Sequence, residues 1–138
     1  MKQYLDKKQC QTLLDMGVDM SQTMLSLVIK QNGNIDVMPN HIANKIACVG
    51  AELIPTLTIG ELIERLPNYI DKKNGIAAYT KEVITTKVRY ASYAISEYPI
   101  HQDEPICRAS MDFISHKELI DNLFDCYVQL IKNGVIEA

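Results

Sequence analysis

The sequence predicts an α+β fold: a mainly antiparallel sheet packed against a long C-terminal helix, with two shorter helices. Three observations carry that expectation. Asp6-Lys7-Lys8-Gln9, Thr58-Ile59-Gly60-Glu61 and Ser115-His116-Lys117-Glu118 each place a capping side chain three residues before Glu or Gln, which is the capping-box arrangement with Asp standing in for Ser/Thr in the first copy. Each cap also follows an apolar residue (Leu5, Leu57, Ile114) and precedes another by four positions (Cys10, Leu62, Leu119), so each start carries a hydrophobic staple. Between the helices the apolar residues alternate with period two, and the strands come in runs rather than in alternation with helices, which favours antiparallel pairing.

The first helix runs from about Lys7 to Met16, with Cys10, Leu13 and Leu14 on one stripe and Gly17 placed to end it in the left-handed conformation. From Thr23 to Lys30 the period changes to two. Leu25, Leu27 and Ile29 fall on one face, and Ile35 and Val37 follow Asn32-Gly33, the signature of a hairpin. A two-residue Asn-Gly turn sets Ile29 against Asp36, whereas a three-residue loop of Gln31-Asn32-Gly33 sets Ile29 against Ile35 and Leu27 against Val37. Only the longer loop keeps the apolar residues together, and it needs Gly33 at positive φ.

Between Asn40 and Gly50, Ile42, Ile46 and Ala47 fit either a short helical turn or an irregular connection. The second helix starts at Thr58, buries Leu62, Ile63 and Leu66, and is stopped by Pro67, because proline disfavours helical geometry in the residue before it. Lys72-Lys73-Asn74-Gly75 reads as a turn. The tract from Ile76 to Ile95, rich in β-branched and aromatic residues, fits two strands. Ser96 to Pro105, with two prolines, is a loop, and Cys107, Ala109, Met111 and Phe113 alternate as one face of a further strand. The last helix opens at Ser115 and repeats Leu119, Ile120, Leu123, Phe124, Tyr127, Val128 and Ile131 on a wide stripe before Lys132-Asn133-Gly134 closes it.

A chain of 138 residues suits one domain spanning 1–138. The net charge is -3 and the Lys and Arg are scattered, which argues against a phosphate-neutralising stripe and so against nucleic acid. No run approaches the roughly 20 apolar residues of a membrane span, and Met1 to Asp6 lacks a signal-peptide core, so a cytoplasmic protein is expected. Cys10, Cys48, Cys107 and Cys126 show no C-x-x-C pairing and read as four free thiols, mostly buried as small apolar groups.

The run from Ile54 to Pro67 resembles a recurring segment in a family of short uncharacterised proteins encoded in gut-bacterial genomes, often in prophage-like regions. Leu13 to Asp19 is similar to that family's N-terminal helix, and Glu118-Leu119-Ile120-Asp121 through Ile131-Lys132-Asn133-Gly134 to its closing helix. The likeness covers about half the chain, and the tract from Ile76 to Ser110 departs from it by having no Trp. The resemblance implies a phage-borne accessory protein and brings no activity, cofactor or catalytic residue with it.

Each chemical constellation in the sequence meets a stronger structural explanation. Cys126 and His116 lie ten residues apart, about 15 Å along a straight helix, too far for a nucleophile-base pair. His101, Asp103 and Glu104 cluster in the proline-bounded loop, where polar residues are common without function. Gly60 and Gly75 fit no phosphate-binding spacing. Tyr90 and Tyr93 beside Arg89, with Tyr79, Tyr98 and Lys87, suit a protein-binding surface, since Tyr and Arg are enriched at interfaces. The expectation is therefore a non-catalytic binding protein acting on a protein partner or on itself through Arg89, Tyr90 and Tyr93, with no metal and no cofactor. The alternatives are a small enzyme using the His101-Asp103-Glu104 loop and, less favoured, a single-strand nucleic-acid binder stacking bases on the tyrosines.

Overall fold

The computed structural model describes residues 2–46, 50–67, 69–71, 78–84, 90–95, 110–112 and 118–138. The fold is α+β. Helix α1 spans Lys7–Asp15 and starts as its sequence demands: Gln9 N–H donates to Asp6 Oδ1 at 2.9 Å, and Asp6 N–H donates to Gln9 Oε1 at 3.1 Å. The staple residues Leu5 and Cys10 are both fully buried, and Gly17 turns the chain away at φ +82.

Strands β1 (Leu25–Ile29) and β2 (Ile35–Pro39) form the expected hairpin in the expected register, Leu27 opposite Val37 and Ile29 opposite Ile35. Gly33 sits at φ +87 and donates its N–H to Lys30 O, which makes the loop three residues long. Helix α2 (Asn40–Ile46) fills the segment whose sequence left helix and irregular connection open. Strand β3 (Glu52–Thr56) then pairs antiparallel with β1, giving the order β2-β1-β3.

The sheet is covered on both faces, against the expectation of one apolar face. Leu27 enters the main core, while Val28, its neighbour of opposite parity, is also fully buried, and α2 packs on that second side with Ala43 buried. Ile35, assigned by its spacing to the apolar face, lies at the hairpin's outer end and is 47% exposed.

Hydrogen-bond phase explains the prolines of this sheet. Lys30 N–H donates to Asn34 O at 2.9 Å and Asn40 N–H to Met24 O at 3.0 Å, so even-numbered residues of β2 bond to β1. Ladder alternation then turns the N–H and C=O groups of Ile35 and Val37 outward, together with the nitrogen of Pro39. On the other edge the same alternation points Leu53 and Pro55 outward. Each proline thus lacks an N–H where no ladder bond is due, the position an edge strand tolerates. Beyond Pro55 the N-terminal segment closes that edge: Leu5 N–H donates to Leu57 O, and Ile59 N–H to Gln3 O.

Helix α3 (Ile59–Arg65) repeats the capping box on Thr58, with Glu61 N–H donating to Thr58 Oγ1 at 3.2 Å. The remaining strands, β4 (Tyr69–Asp71), β5 (Ala78–Ile84), β6 (Tyr90–Ile95) and β7 (Ser110–Asp112), build a second antiparallel sheet in sequence order. The long helix α4 (Leu119–Lys132) packs against α3 and β6. It buries Leu119, Ile120, Leu123, Cys126, Tyr127, Val128 and Leu130, each large apolar side chain contributing about 1.5–3 kcal/mol of transfer free energy.

Ser115, His116 and Lys117 of the third expected capping box lie outside the described residues. Helix α4 begins at Leu119, and Glu118 is its extended N-cap residue, with no side-chain cap bond. Its carboxylate accepts the backbone N–H of Lys2 at 3.2 Å, a tertiary contact. Among the described residues no helix is long and apolar enough to cross a membrane.

Candidate functional site

The residues chosen from sequence are only partly placed by the fold. Positions 90 and 93 both belong to β6, Tyr90 in register with Ile84, and Tyr93 with Lys81 on one side and Met111 on the other. They are three apart and hence of opposite parity, so the two positions belong to opposite faces of the sheet. Arg89, Lys87 and Tyr98 lie outside the described residues, as do His101, Asp103 and Glu104 of the alternative catalytic loop, and Cys48 and Cys107.

The two described thiols are free and fully buried. Burial pushes the Cys126 thiol up to about 12, with Asp125 adding to the effect, and burial likewise raises Cys10. A buried thiol held protonated is a packing group, not a nucleophile. Among the described residues no group of three or more His, Cys, Asp and Glu is arranged to hold a metal ion.

The densest polar cluster is one that sequence reasoning missed. Lys2 Nζ donates to Asp6 Oδ2 at 3.0 Å, Gln9 Oε1 at 2.9 Å and Asp121 Oδ1 at 2.9 Å, while Gln9 Nε2 also donates to Asp121 Oδ1 at 2.8 Å. Burial opposes the charge on Lys2, but the Asp121 and Asp6 carboxylates outweigh it and raise its pKa. Burial opposes the charge on Asp6 too, and the Gln9 N–H and Lys2 overcome it, holding the carboxyl below its usual range. Three ammonium protons meet three acceptors, so the cluster ties the N-terminal segment and α1 to α4 and leaves no ammonium proton for a ligand.

An open cleft of about 300 Å³ lies between the end of α3, α4 and the C-terminal turn, lined by Asp19, Arg65, Tyr127, Ile136 and Glu137. Arg65 Nη1 reaches Tyr127 Oη only at 3.5 Å. Asp19 accepts Ser21 N–H at 2.9 Å, and its hydrogen bonds with Ser21 lower its pKa, with a smaller contribution from Arg65. Arg65 and Asp19 offset each other's charge, and among the described residues lining the cleft no nucleophile meets a base.

Apolar exposure is the clearer surface signal. Six large apolar residues among those described are more than one-third exposed, and three of them, Met24, Ile35 and Ile42, border β2. Ile35 opens the strand. Met24 lies at the strand's other end, in register one step beyond Pro39, where its carbonyl accepts Asn40 N–H, and Ile42 stands in the first turn of α2. Asn40 pins this end: its side-chain amide donates to Thr23 O, and Ser26 Oγ donates to its Oδ1. Nothing in the sequence separates Met24 and Ile42 from core positions, because their exposure depends on how α2 docks. No family model, no curated protein and no solved structure matches this chain.

Proposed function

We propose that the protein is a small cytoplasmic binding or accessory protein that acts by recognising a protein surface rather than by catalysis. The observation that carries this reading is the exposure of large apolar side chains at both ends of β2, Ile35 at one and Met24 and Ile42 at the other, with Met24 67% exposed, along a strand edge that no described strand pairs with. Because these side chains stand on ordered backbone, docking them spares the cost of ordering a loop and leaves only that of fixing their rotamers. The buried thiols and the internally satisfied Lys2 cluster agree with it, since the described polar groups serve packing and tethering. The phage-borne origin suggested by the likeness of the Ile54 to Pro67 run belongs to the same proposal.

The test is affinity capture with the intact chain, set beside the Met24→Glu, Ile42→Glu double variant and followed by mass spectrometry. Both positions are on the surface, so the variant is expected to fold with an unchanged circular dichroism spectrum. A protein captured by the wild type and lost from the variant supports the reading. Identical captures from both forms overturn it.

A further inference from the structure

The geometry points to β2 as an acceptor edge for an extended segment of another protein, one that adds antiparallel to the sheet and carries a Lys or Arg opposite Asp36. This rests on the surface-recognition reading and names its partner's chemistry. The two edges of the three-stranded sheet differ. On β3, the outward groups are those of Leu53 and of Pro55, which has no N–H to give, and just beyond the strand the N-terminal segment closes the edge through Leu5 N–H to Leu57 O and Ile59 N–H to Gln3 O. On β2, Ile35 and Val37 present two N–H and two C=O groups outward, and among the described residues no strand pairs with them. Such a row of unpaired groups is the template that peptide strand addition uses.

The occupant follows from the two residues that frame this edge. With Ile35 set opposite itself, Val37 of a second copy meets Gly33, whose N–H is already donated to Lys30 O, which leaves two two-fold antiparallel registers that engage both Ile35 and Val37. In one, Ile35 faces Val37 of the copy, and Asp36 meets its own counterpart; like charges directly opposite destabilise a strand pair. In the other, Val37 faces itself and Ile35 faces Pro39, whose ring takes the place of the missing N–H and pushes the opposite carbonyl away. The edge therefore discriminates against self-pairing while remaining open to a different strand. A segment ending short of Pro39, with β-branched residues opposite Ile35 and Val37, makes all four backbone bonds. The position between them faces Asp36, whose side chain is 43% exposed and touches Lys30 at 2.6 Å, leaving carboxylate surface for a second cation. Complementary charge at this position thus selects Lys or Arg.

The experiment titrates the full chain with two fluorescein-labelled, end-blocked heptapeptides of alternating Thr and Val, one centred on Val-Lys-Val and the other on Val-Asp-Val, read by anisotropy. The expected result is binding of the Lys peptide about fivefold or more tighter than the Asp peptide, inverted by Asp36→Lys and abolished by Ile35→Pro. In ¹⁵N spectra the Ile35 and Val37 amides shift with bound peptide. Asp36→Lys changes only an exposed ion pair, so a folding failure of the proline variant leaves the charge inversion to decide. Equal affinity for both peptides, no binding of either up to about 1 mM, or a preference unmoved by Asp36→Lys overturns the proposal. So does a wild-type dimer in sedimentation that Ile35→Pro disrupts, which assigns the edge to a second copy. Should the peptides fail while capture still depends on Met24 and Ile42, surface recognition stands and the strand-edge mode falls.

Discussion

Replacing Gly33 by Val isolates the backbone cost of the hairpin loop from any packing cost. Gly33 sits at φ +87, and a Cβ built there meets nothing within 4 Å, so steric crowding contributes nothing to the penalty. What remains is the conformation itself. A left-handed backbone costs an L-residue about 1–2 kcal/mol, and a β-branched side chain falls at the upper end. Gly33→Val is therefore expected to destabilise by about 2 kcal/mol, equivalent to a fall of about 8 °C in melting temperature for a chain of this size. Asn tolerates the left-handed region, so Gly33→Asn is expected to cost less than about 1 kcal/mol. Urea unfolding followed by circular dichroism measures both. A Val variant as stable as wild type, or one no worse than Asn, refutes the three-residue loop and with it the register that turns Ile35 and Val37 outward.

Two further expectations concern titrating groups. A rise of the Cys126 thiol from 9.0 to about 12 lowers its thiolate fraction at pH 8 about 1,000-fold; iodoacetamide labelling resolved by peptide mass spectrometry should find Cys10 and Cys126 protected in the native chain and reactive in urea, and rapid native labelling of Cys126 contradicts its burial. Asp6, whose carboxyl is held below 3.8 in the folded chain, contributes stability that is fully present above about pH 4 and is lost as pH falls through the lowered value. Because half its side chain is exposed, that contribution is below about 1 kcal/mol. The stability difference between wild type and Asp6→Asn should narrow as urea midpoints are followed from pH 6 down to pH 2.5, and a widening gap reverses the assigned sign.

What the sequence reveals of this fold tracks how local each determinant is. The Asp6 and Thr58 boxes form because donor and acceptor are three residues apart, and the hairpin register follows from parity and one glycine. The described start of α4 at Leu119 is less local in its contacts, since Glu118 accepts the N–H of Lys2, more than a hundred residues away in sequence. Strand β3 escaped notice because Pro55 argues against a strand until the residue is known to face an open edge, and its pairing with β1 joins segments more than twenty residues apart. Val28 falls on the face opposite Leu27, and its burial was not legible because the helix on that side is short and ambiguous in sequence. The candidate surface was least legible. Met24 and Ile42 are apolar residues indistinguishable from core by pattern, and their exposure exists only once α2 and β1 are docked. The tyrosines drew attention by type, yet positions 90 and 93 differ in parity and cannot share one sheet face.

The central claim is that the chain recognises a partner through the surface around β2. Amide hydrogen exchange of the free chain, compared with the chain bound to a partner whose capture depends on Met24 and Ile42, tests it most directly. The account predicts slowed exchange concentrated in residues 24–42, strongest at Ile35 and Val37, whose N–H groups have no ladder partner among the described residues. Protection confined to other segments, with exchange at Ile35 and Val37 unchanged by the partner, contradicts it.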